Sequence, residues 1–544
     1  MRLFLFIYCL GIGLFQVRSQ TTSPEIAGSV SSAHPLATRA GYEILKKGGN
    51  AFDAAVAIAA SLNVVEPMMS GIGGYGTILI YDAKTQQIRF LNASGRFPEA
   101  TNTDLMRAPT PDYQKNRVGP KSISTPGNLN AWALMHQTYG SIQWKNLFTA
   151  AIDYAENGYI ISKNIAGFIQ EAYPGFSNYA KQIFGQQSKP LQTGDRLVQK
   201  DLAETFKKIA QEGVQVFYHG SIGVKMDAQM RSAGSFLQLK DLQQHQAKWW
   251  NPIRMEYKGY DIYTASLPAN SFAAFVNLGL MRESGKLTMQ HNSGDYLHWF
   301  AEITKESYKA RLAYSFDPDI RRAPIDSILS TQALRNTVAR LSKDTASVFQ
   351  LPFSVESKNT THFVVIDQWG NMVSATQTLG NSFGSRVFVE GTGICMNNSM
   401  AYSTFEPKGN PMDAFPGRHK LSGDCPVIIL KQGLPWAALG TPGGHTITQN
   451  VPQIIFNLID HSMDMQSAID APKIAFVEPN FIRVDPDMSV ESIEVLKRKG
   501  HQIIKGSIGN AHGIRILRDP NGKIIGYDIG TDKRGDGKSP VIDR

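Results

Sequence analysis

A threonine at the head of a predicted hairpin constrains this chain more than any other feature of its sequence. Asn359-Thr360-Thr361 directly precedes an apolar, β-branched run from Phe363 to Ile366. A turn at Asp367 to Asn371 follows, and Met372 to Thr378 alternates as a second strand. If the bond before Thr360 is cut, that residue gains a free α-amine beside its hydroxyl, so one residue supplies both nucleophile and base. Threonine is also common in strands, so the hairpin alone does not establish catalysis.

The first twenty residues form a separate segment. Arg2 supplies a positive charge, Leu3 to Phe15 is largely apolar, and Val17-Arg18-Ser19 offers a cleavage site. This pattern predicts a secretory signal peptide over residues 1–19, because the apolar run is too short for a membrane anchor. No later segment is apolar enough to span a bilayer. We therefore expect an exported protein, periplasmic or secreted, without a stable membrane span.

The composition is that of a large globular protein. Of its 544 residues, 42% are hydrophobic, which is ample for an extensive core. The formal charge is +9, but the Lys and Arg residues are scattered, so the sequence predicts a basic surface and no nucleic-acid partner. Only Cys395 and Cys425 remain after removal of the signal peptide. They do not make a disulfide framework, and the sequence leaves open whether they pair.

Helical and strand patterns alternate along the rest of the chain. Helix patterns cover residues 32–49, 51–65, 132–154, 202–212, 222–232, 296–314 and 453–460, and strand patterns cover 77–81, 88–91 and 437–440. The tract from Ser342 to Asn359 is linker-like, and a chain break there would cost little stability. Helices that flank antiparallel hairpins predict an α+β fold layered as helix, sheet, sheet and helix.

Two glycine-rich turns and one arginine are candidate site features. Gly71 to Gly76 lacks the Lys-Ser/Thr of a phosphate-binding loop and precedes a strand, so it predicts a close-packed turn. Gly443 and Gly444 lie between a strand and a helix, where adjacent backbone N–H groups can form an oxyanion hole or an ordinary turn. Arg96 ends a strand and is suited to bidentate carboxylate binding, although an exposed surface position fits equally well.

The order of these motifs resembles that of the gamma-glutamyltransferase family of N-terminal nucleophile hydrolases, over nearly all of the mature chain. The matching segments are Ser32 to Thr38, Gly48 to Ala55, Val65-Glu66-Pro67, Ser70 to Gly74, Thr360-Thr361-His362, Phe383-Gly384-Ser385, Asn397 to Met400 and Pro442-Gly443-Gly444.

The resemblance implies a single αββα domain built from one precursor, which matures to a large subunit (20–359) and a small catalytic subunit (360–544). It implies that Thr360 is the nucleophile after self-cleavage at Asn359 and that Thr378 orients it. Members of the family transfer a γ-glutamyl group from glutathione or a related amide to water or an amine. They need no metal or organic cofactor.

The resemblance also assigns the remaining site residues. Gly443 and Gly444 would supply the oxyanion donors. The donor pocket would be formed by Arg96, Ser422, Gly423, Ser399 and Tyr402, with Arg96 and Ser422 on the α-carboxylate.

Several positions depart from the family pattern. Tyr402 stands where an acidic residue usually binds the α-ammonium of the donor, and Gly423 replaces the second of two serines. Gly380 and Phe97 replace a family Asn and Glu. A neutral phenol cannot replace a charge-assisted contact of about 1.5–3 kcal/mol, although nearby Asp424 offers a substitute carboxylate. The segment from Phe405 to Lys420 is shorter than the lid-bearing version, which predicts an open site.

Three functions fit the sequence. The first is a gamma-glutamyl hydrolase/transferase acting on glutathione or related amides. The second is an amidase or acylase of the same mechanism with a non-glutamyl acyl donor, and the third is a catalytically inactive binding protein. Thr360, Thr378 and the Gly443-Gly444 pair argue against the third, whereas Tyr402 and Gly423 separate the first from the second. The acceptor preference and the assembly beyond a processed heterodimer stay open.

Overall fold

The computed structural model describes residues 27–349 and 359–537. The predicted signal peptide and residues 350–358 of the linker-like tract lie outside the described residues. The strands are β1 (Gly28–Ser32), β2 (Tyr75–Asp82), β3 (Gln87–Asn92), β4 (Tyr159–Ile160), β5 (Gly185–Gln186), β6 (Lys189–Pro190), β7 (Arg196–Leu197), β8 (Trp249–Trp250), β9 (Ile253–Tyr257), β10 (Tyr260–Thr264), β11 (Asn359–Asp367), β12 (Met372–Gly380), β13 (Phe388–Val389), β14 (Ile394–Cys395), β15 (Val427–Lys431), β16 (Leu434–Gly440), β17 (Ile474–Val477), β18 (Phe481–Val484), β19 (Gln502–Lys505), β20 (His512–Arg518) and β21 (Ile524–Thr531).

The α-helices surround these strands. They are α1 (Pro35–Lys46), α2 (Ala51–Val65), α3 (Tyr113–Asn116), α4 (Asn128–Tyr139), α5 (Thr149–Asn157), α6 (Lys163–Ala172), α7 (Asn178–Ile183), α8 (Lys200–Glu212), α9 (Gln215–Tyr218), α10 (Ser221–Ser232), α11 (Leu239–Gln244), α12 (Phe272–Ser284), α13 (Gly294–Tyr314), α14 (Ile325–Ile328), α15 (Thr331–Val338), α16 (Ile447–Ile459), α17 (Met465–Asp470) and α18 (Val490–Arg498). Among residues 27–349 and 359–537, no helix combines the length and apolar character needed to cross a membrane.

Two six-stranded antiparallel sheets stack at the centre of the molecule. The first has the order β1-β11-β12-β2-β3-β8, and the second has the order β21-β20-β16-β15-β10-β9. Apolar side chains such as Val364 and Ile366 of β11 meet Ile428, Ala438 and Ile514 of the second sheet in a buried inter-sheet core. The hairpin β11–β12 therefore lies face to face with β16, which leads into the Gly443-Gly444 turn.

Helices cover the outer face of each sheet. Helices α1, α2 and α4 pack on the first sheet, and α12, α13 and α16 form the core on the outer side of the second. This arrangement confirms the predicted four-layer α+β sandwich. The layers form because each sheet buries one face against the other sheet and one face against helices.

Helix α2 helps to fix the position of the β11–β12 hairpin. Every residue from Ala51 to Val65 is buried, because small side chains let this helix lie close to the sheet. Asn50 caps the helix and forms a capping box with Asp53. The Asp367 carboxylate, in the turn of the hairpin, accepts a hydrogen bond from the Ala51 N–H at 3.0 Å. The N-terminus of α2 is thereby tied to the far end of the strand that begins at Asn359.

The predicted helix bounds differ most from the structure in two places, while the helix expected over 32–49 is α1 (Pro35–Lys46) and follows β1, which ends at Ser32. The helix expected over 132–154 is divided, since α4 ends at Tyr139 and α5 begins at Thr149. The helix expected from residue 453 begins at Ile447 and contains Pro452 in its interior. Proline removes the N–H that would bind the Thr448 carbonyl, and the Asn277 amide donates to that carbonyl instead, at 3.0 Å.

The sequence left open whether Cys395 and Cys425 pair. In the structure both are buried free thiols.

Candidate active site

Thr360 is the second residue of β11 and lies at an irregularity in the sheet. Asn359 pairs with Gly380 and Thr361 pairs with Gln377, so the register of the hairpin shifts between these two pairs. The extra residue is on β12, where Thr378 and Leu379 lie opposite the single residue Thr360, and a bulge of this kind changes the direction of side chains locally. Thr360 is only 5% exposed, yet it lines two cavities.

Thr378 lies across the hairpin from the predicted cleavage point. Its hydroxyl donates a hydrogen bond to the Asn359 carbonyl oxygen at 2.5 Å and accepts one from the Gly380 N–H at 2.8 Å. In the uncut chain, Thr378 therefore holds the carbonyl group that precedes Thr360. A donor at that oxygen stabilises the negative charge that develops when the carbonyl carbon is attacked.

The Gly443-Gly444 turn follows β16 and faces the same end of the hairpin. The two residues have φ angles of 130° and 59°, in the left-handed region that favours glycine. The Thr446 hydroxyl donates to the Gly443 carbonyl at 2.8 Å and closes the turn. Gly444 lines one of the cavities beside Thr360, and Gly443 lines the other.

The two cavities have different linings. The first, here called the Thr360 cavity, is lined by residues that include Tyr75, Asn270, Arg311, Thr360, Thr378, Tyr402, Lys420, Ser422, Gly423, Asp424, Gly444 and His445. The second, here called the Gly443 cavity, has a volume of 370 Å³ and is lined by residues that include Asn359, Thr360, Gly443, Thr446, Asn510 and Arg534. Most of the predicted site residues therefore meet around Thr360.

Two predicted donor-binding residues lie outside the Thr360 cavity. Arg96 donates to Asp319 at 2.6 Å and to the Gly417 carbonyl at 2.8 Å, and its side chain is 43% exposed. It lines an adjacent cavity, which shares only Phe97 and His419 with the Thr360 cavity. Ser399 is buried, and its hydroxyl donates to Ser124 Oγ at 2.6 Å.

The segment from Phe405 to Lys420 forms part of the wall of the site. Pro411, Met412, Asp413, Arg418, His419 and Lys420 all line the Thr360 cavity. A buried ion pair between Arg107 and Asp413 anchors the segment, and the Phe97 N–H donates to the Arg418 carbonyl at 2.9 Å. This short segment therefore contacts the site, and the open site stays a prediction.

Comparison with known proteins identifies the family. The family model described as Gamma-glutamyltranspeptidase matches residues 37–542. This chain belongs to that family. It is 30% identical over 516 residues to the glutathione hydrolase proenzyme of Bacillus subtilis, covering 90% of this chain and 88% of the relative. It is 31% identical over 515 residues to the Acylase ACY 1 proenzyme of Pseudomonas sp. strain SE83, covering 92% and 91%.

A solved structure extends the likeness to the fold. The crystal structure of cephalosporin acylase from Bacillus halodurans matches with a TM-score of 0.86 and 26% identity, over 98% of this chain and 99% of that one. The chain is therefore an enzyme of the gamma-glutamyltranspeptidase family with the N-terminal nucleophile hydrolase fold, as its motifs predicted. The same family includes proteins named for glutathione hydrolysis and proteins named as acylases.

Lys420 gives the Thr360 cavity of this family member a positive charge that the sequence analysis missed. The ammonium lies 5.0 Å from the centre of the Tyr75 ring and 5.8 Å from that of Tyr402. Burial lowers the pKa of Lys420 to about 8, and the Asp424 carboxylate opposes this shift. The side chain therefore stays mainly protonated at neutral pH.

Tyr402, which stands in place of the acidic group, and Asp424, its suggested substitute, both make hydrogen bonds within the protein. The Tyr402 hydroxyl donates to Asn381 Oδ1 at 2.5 Å. Asp424 accepts a hydrogen bond from Thr77 at 3.0 Å. Burial raises the pKa of Asp424 to about 6, while Lys420 lowers it. The Ser422 hydroxyl makes no hydrogen bond of good geometry among the described residues, although it is near enough to Asp424 to lower that pKa.

Arg311 is the second cation that the sequence analysis missed. It lies on α13, is 2% exposed and lines the Thr360 cavity. The sequence contained a signal for it, since Arg311 follows the buried residues Thr304, Ser307 and Tyr308 at helical spacing. A charged residue on the buried face of a helix requires a partner or a function.

The buried carboxyl group of Glu66 contacts the residue that follows Thr360. Glu66 accepts a hydrogen bond from the Thr361 hydroxyl at 2.7 Å. Burial raises the pKa of Glu66 to about 7, the Thr361 hydrogen bond opposes that shift, and the negative charge of Asp536 adds to it. This carboxyl group therefore titrates near neutral pH, one residue away from Thr360.

Proposed function

We propose that this protein is an exported precursor that cleaves its own chain between Asn359 and Thr360, giving chains 20–359 and 360–544. The main support is the hydrogen bond from Thr378 to the Asn359 carbonyl, because it places a donor on the oxygen that becomes negative. The bulge in β12, which places Thr378 and Leu379 opposite Thr360, supports the same step. So do the names of the Bacillus and Pseudomonas relatives, which are proenzymes.

The cleavage proceeds by an acyl shift. Thr360 Oγ loses its proton and attacks the Asn359 carbonyl carbon, and the negative oxygen is held by Thr378. The C–N bond then breaks, the Thr360 nitrogen takes up a proton, and an ester joins Asn359 to Thr360 Oγ. Water hydrolyses this ester and leaves a carboxylate on Asn359 and a free amine on Thr360.

The same atoms then act on an external amide. The α-amine has an ordinary pKa of about 7.7–8.0, which suits a general base at neutral pH. It accepts the hydroxyl proton as Thr360 Oγ attacks the donor carbonyl, and the Gly443 and Gly444 N–H groups stabilise the oxyanion. The leaving amine takes the proton, and water or an amine acceptor then releases the acyl group. Neither a metal nor an organic cofactor takes part.

The acyl donor in this proposal is γ-glutamyl or a closely related acyl group that carries a carboxylate. Arg311 and Lys420 place positive charge beside Thr360, which favours an anionic acyl group. The relative named glutathione hydrolase supports a γ-glutamyl donor.

A specific observation favours a second candidate, an acylase for the des-amino analogue of that group. Lys420 lies against Tyr402, the position where family members usually have an acid for the α-ammonium. A like charge at that position opposes binding of an ammonium. The relative named as an acylase is consistent with this alternative.

Self-cleavage is tested by the size and N-terminus of the purified chains. The parent should give two chains, and the smaller should begin Thr-Thr-His-Phe. Thr360→Ala should stay as one chain because no hydroxyl remains for the acyl shift, whereas Thr360→Ser should still be cut. A different N-terminus, or efficient cleavage of the Ala variant, would refute the proposal.

A further inference from the structure

Arg311 differs from Arg107 and Arg534, whose side chains are also largely buried but form ion pairs with carboxylates. Arg107 pairs with Asp413, and Arg534 pairs with Asp485 and Asp532. For Arg311, the described part of the chain provides no carboxylate at ion-pair distance. Its Nε and Nη1 are buried without a hydrogen-bond partner among the described residues, while Nη2 lies 3.3 Å from His445 Nε2.

Other polar atoms of the Thr360 cavity are also unsatisfied. Asn270 Oδ1 and His419 Nδ1 are buried and have no hydrogen-bond partner among the residues the structure describes. A buried polar group left unpaired costs about 1–3 kcal/mol. The Arg311 guanidinium and these two polar groups line the same cavity as Thr360 and have unpaired polar atoms. Together they are suited to bind a polar ligand.

We propose that Arg311 binds a carboxylate of the acyl donor, in the role that the family resemblance implies for Arg96. This inference rests on the proposed function, because it concerns the donor that Thr360 attacks. Arg311 and Thr360 line the same cavity, whereas Arg96 is held by Asp319 and Gly417 beside another. The planar guanidinium has two unpaired donors, the Nε–H and the Nη1 amino group, which can donate to carboxylate oxygens.

The ligand class follows from the same contacts. The cavity is lined by the cations Arg311, Arg418 and Lys420 and by the carboxylates of Asp317, Asp413 and Asp424. Asp424 offsets Lys420, and Asp413 pairs with Arg107. Asp317 accepts the N–H groups of Asp319 and His419 and makes no ion pair with Arg311 among the described residues. The positive charge of Arg311 is therefore left for the substrate. A monoamide of a dicarboxylic acid fits this distribution, with its amide carbonyl at Thr360 and its free carboxylate at Arg311.

The test compares donors that differ only in the carboxylate. We would measure kcat/KM for glutaric acid mono-p-nitroanilide and for its neutral primary-amide analogue with the parent, Arg311→Met and Arg311→Lys. Arg322→Met serves as the matched control, because Arg322 is exposed. Arg96→Ala is measured alongside.

The expected result is a loss that depends on the carboxylate. Arg311→Met should lose more than about tenfold on the anionic donor, as expected for a lost charged contact, and little on the neutral donor. Arg311→Lys should lose less because it keeps the charge, and Arg96→Ala should lose less than Arg311→Met. Equal losses on both donors would show a structural role through His445 and would overturn the proposal.

A binding measurement separates this inference from the proposed reaction. Calorimetry with glutarate should detect binding to the processed parent and to Arg322→Met, and not to Arg311→Met. If glutarate binds through Arg311 but neither anilide is hydrolysed, the proposed reaction fails while the carboxylate site stands. If Arg311→Met fails to process, the comparison uses Arg311→Lys, which should bind glutarate more weakly than the parent. Failure of the parent to bind glutarate, or unchanged binding in the Arg311 variants, would overturn the inference.

Discussion

The Thr378 hydroxyl lies 2.5 Å from the Asn359 carbonyl oxygen and donates a hydrogen bond to it. The sequence predicted that Thr378 would orient the neighbouring Thr360. In the uncut chain it holds the carbonyl group that Thr360 would attack in the proposed self-cleavage. Under that proposal the same hydroxyl would serve two stages, first on the carbonyl of the precursor and later beside the free Thr360.

Removal of the Thr378 hydroxyl should slow self-cleavage. Thr378→Val keeps the shape of the side chain but cannot donate, and loss of one oxyanion donor commonly costs about 10²–10³ in rate. Thr378→Ser should keep most of the rate. The measurement is a time course of the uncut chain on denaturing gels. Cleavage of the Val variant at the rate of the parent would show that the hydrogen bond has no role in processing.

Much of the scaffold could be predicted because local signals agreed with the tertiary structure. The α2 bounds follow from the cap at Asn50 and from an unbroken run of small residues. The β11–β12 hairpin follows from β-branched residues on both sides of a polar turn. The start of α16 could not be predicted in this way, because Pro452 is in its interior and the Thr448 carbonyl is bonded by Asn277, which is distant in sequence.

The charges of the site could not be predicted in the same way. Arg311 and Lys420 lie on different elements, and only the folded chain brings both beside Thr360. Arg96 had the expected motif, but Asp319 and Gly417 hold its guanidinium in an adjacent cavity. Motif matching identifies the type of residue at a position, while partners from other elements determine where its side chain points.

Helix α16 should depend on Asn277 because of Pro452. Asn277→Ala leaves the buried Thr448 carbonyl unpaired, which should lower the free energy of unfolding by about 1–3 kcal/mol. Pro452→Ala restores an N–H for this carbonyl, so the double variant should lose less than Asn277→Ala does. Urea unfolding of the uncut Thr360→Ala chain measures these differences without a dependence on subunit concentration. Strictly additive losses would contradict the proposed exchange of donors.

Glu66 should make stability fall as the pH rises towards neutral. Its ordinary pKa is 4.5, and its pKa in the folded protein is about 7. Between these values the folded chain holds a proton that the unfolded chain has released. The contribution of Glu66 is therefore fully present below about pH 4.5 and is lost by about pH 7, with a total of up to about 3 kcal/mol.

The matched variant for this prediction is Glu66→Gln. It keeps an acceptor for the Thr361 hydroxyl but cannot titrate, so its unfolding free energy should vary less between pH 5 and 7 than that of the parent. Both proteins are compared in the uncut Thr360→Ala background by urea unfolding at each pH. Identical pH profiles for the two proteins would show that Glu66 does not titrate in this range.

The last prediction concerns the choice between a glutamyl and a glutaryl donor. These two acyl groups differ only in the α-ammonium, for which Tyr402 provides no negative charge and Lys420 provides a like charge. We therefore expect the parent to discriminate weakly between glutamyl and glutaryl p-nitroanilides, or to prefer the glutaryl compound. Lys420→Met should remove the repulsion and shift the ratio of the two kcat/KM values towards the glutamyl donor.

The pH dependence of this ratio adds a second check. Deprotonation of Lys420 above about pH 8 should shift the ratio towards the glutamyl donor in the parent and not in Lys420→Met. A preference of the parent for the glutamyl donor by about a hundredfold or more, equivalent to about 2.7 kcal/mol of transition-state discrimination, would show that another group, with Asp424 as the candidate, has the role of the missing acid, and that this enzyme is an ordinary gamma-glutamyl hydrolase.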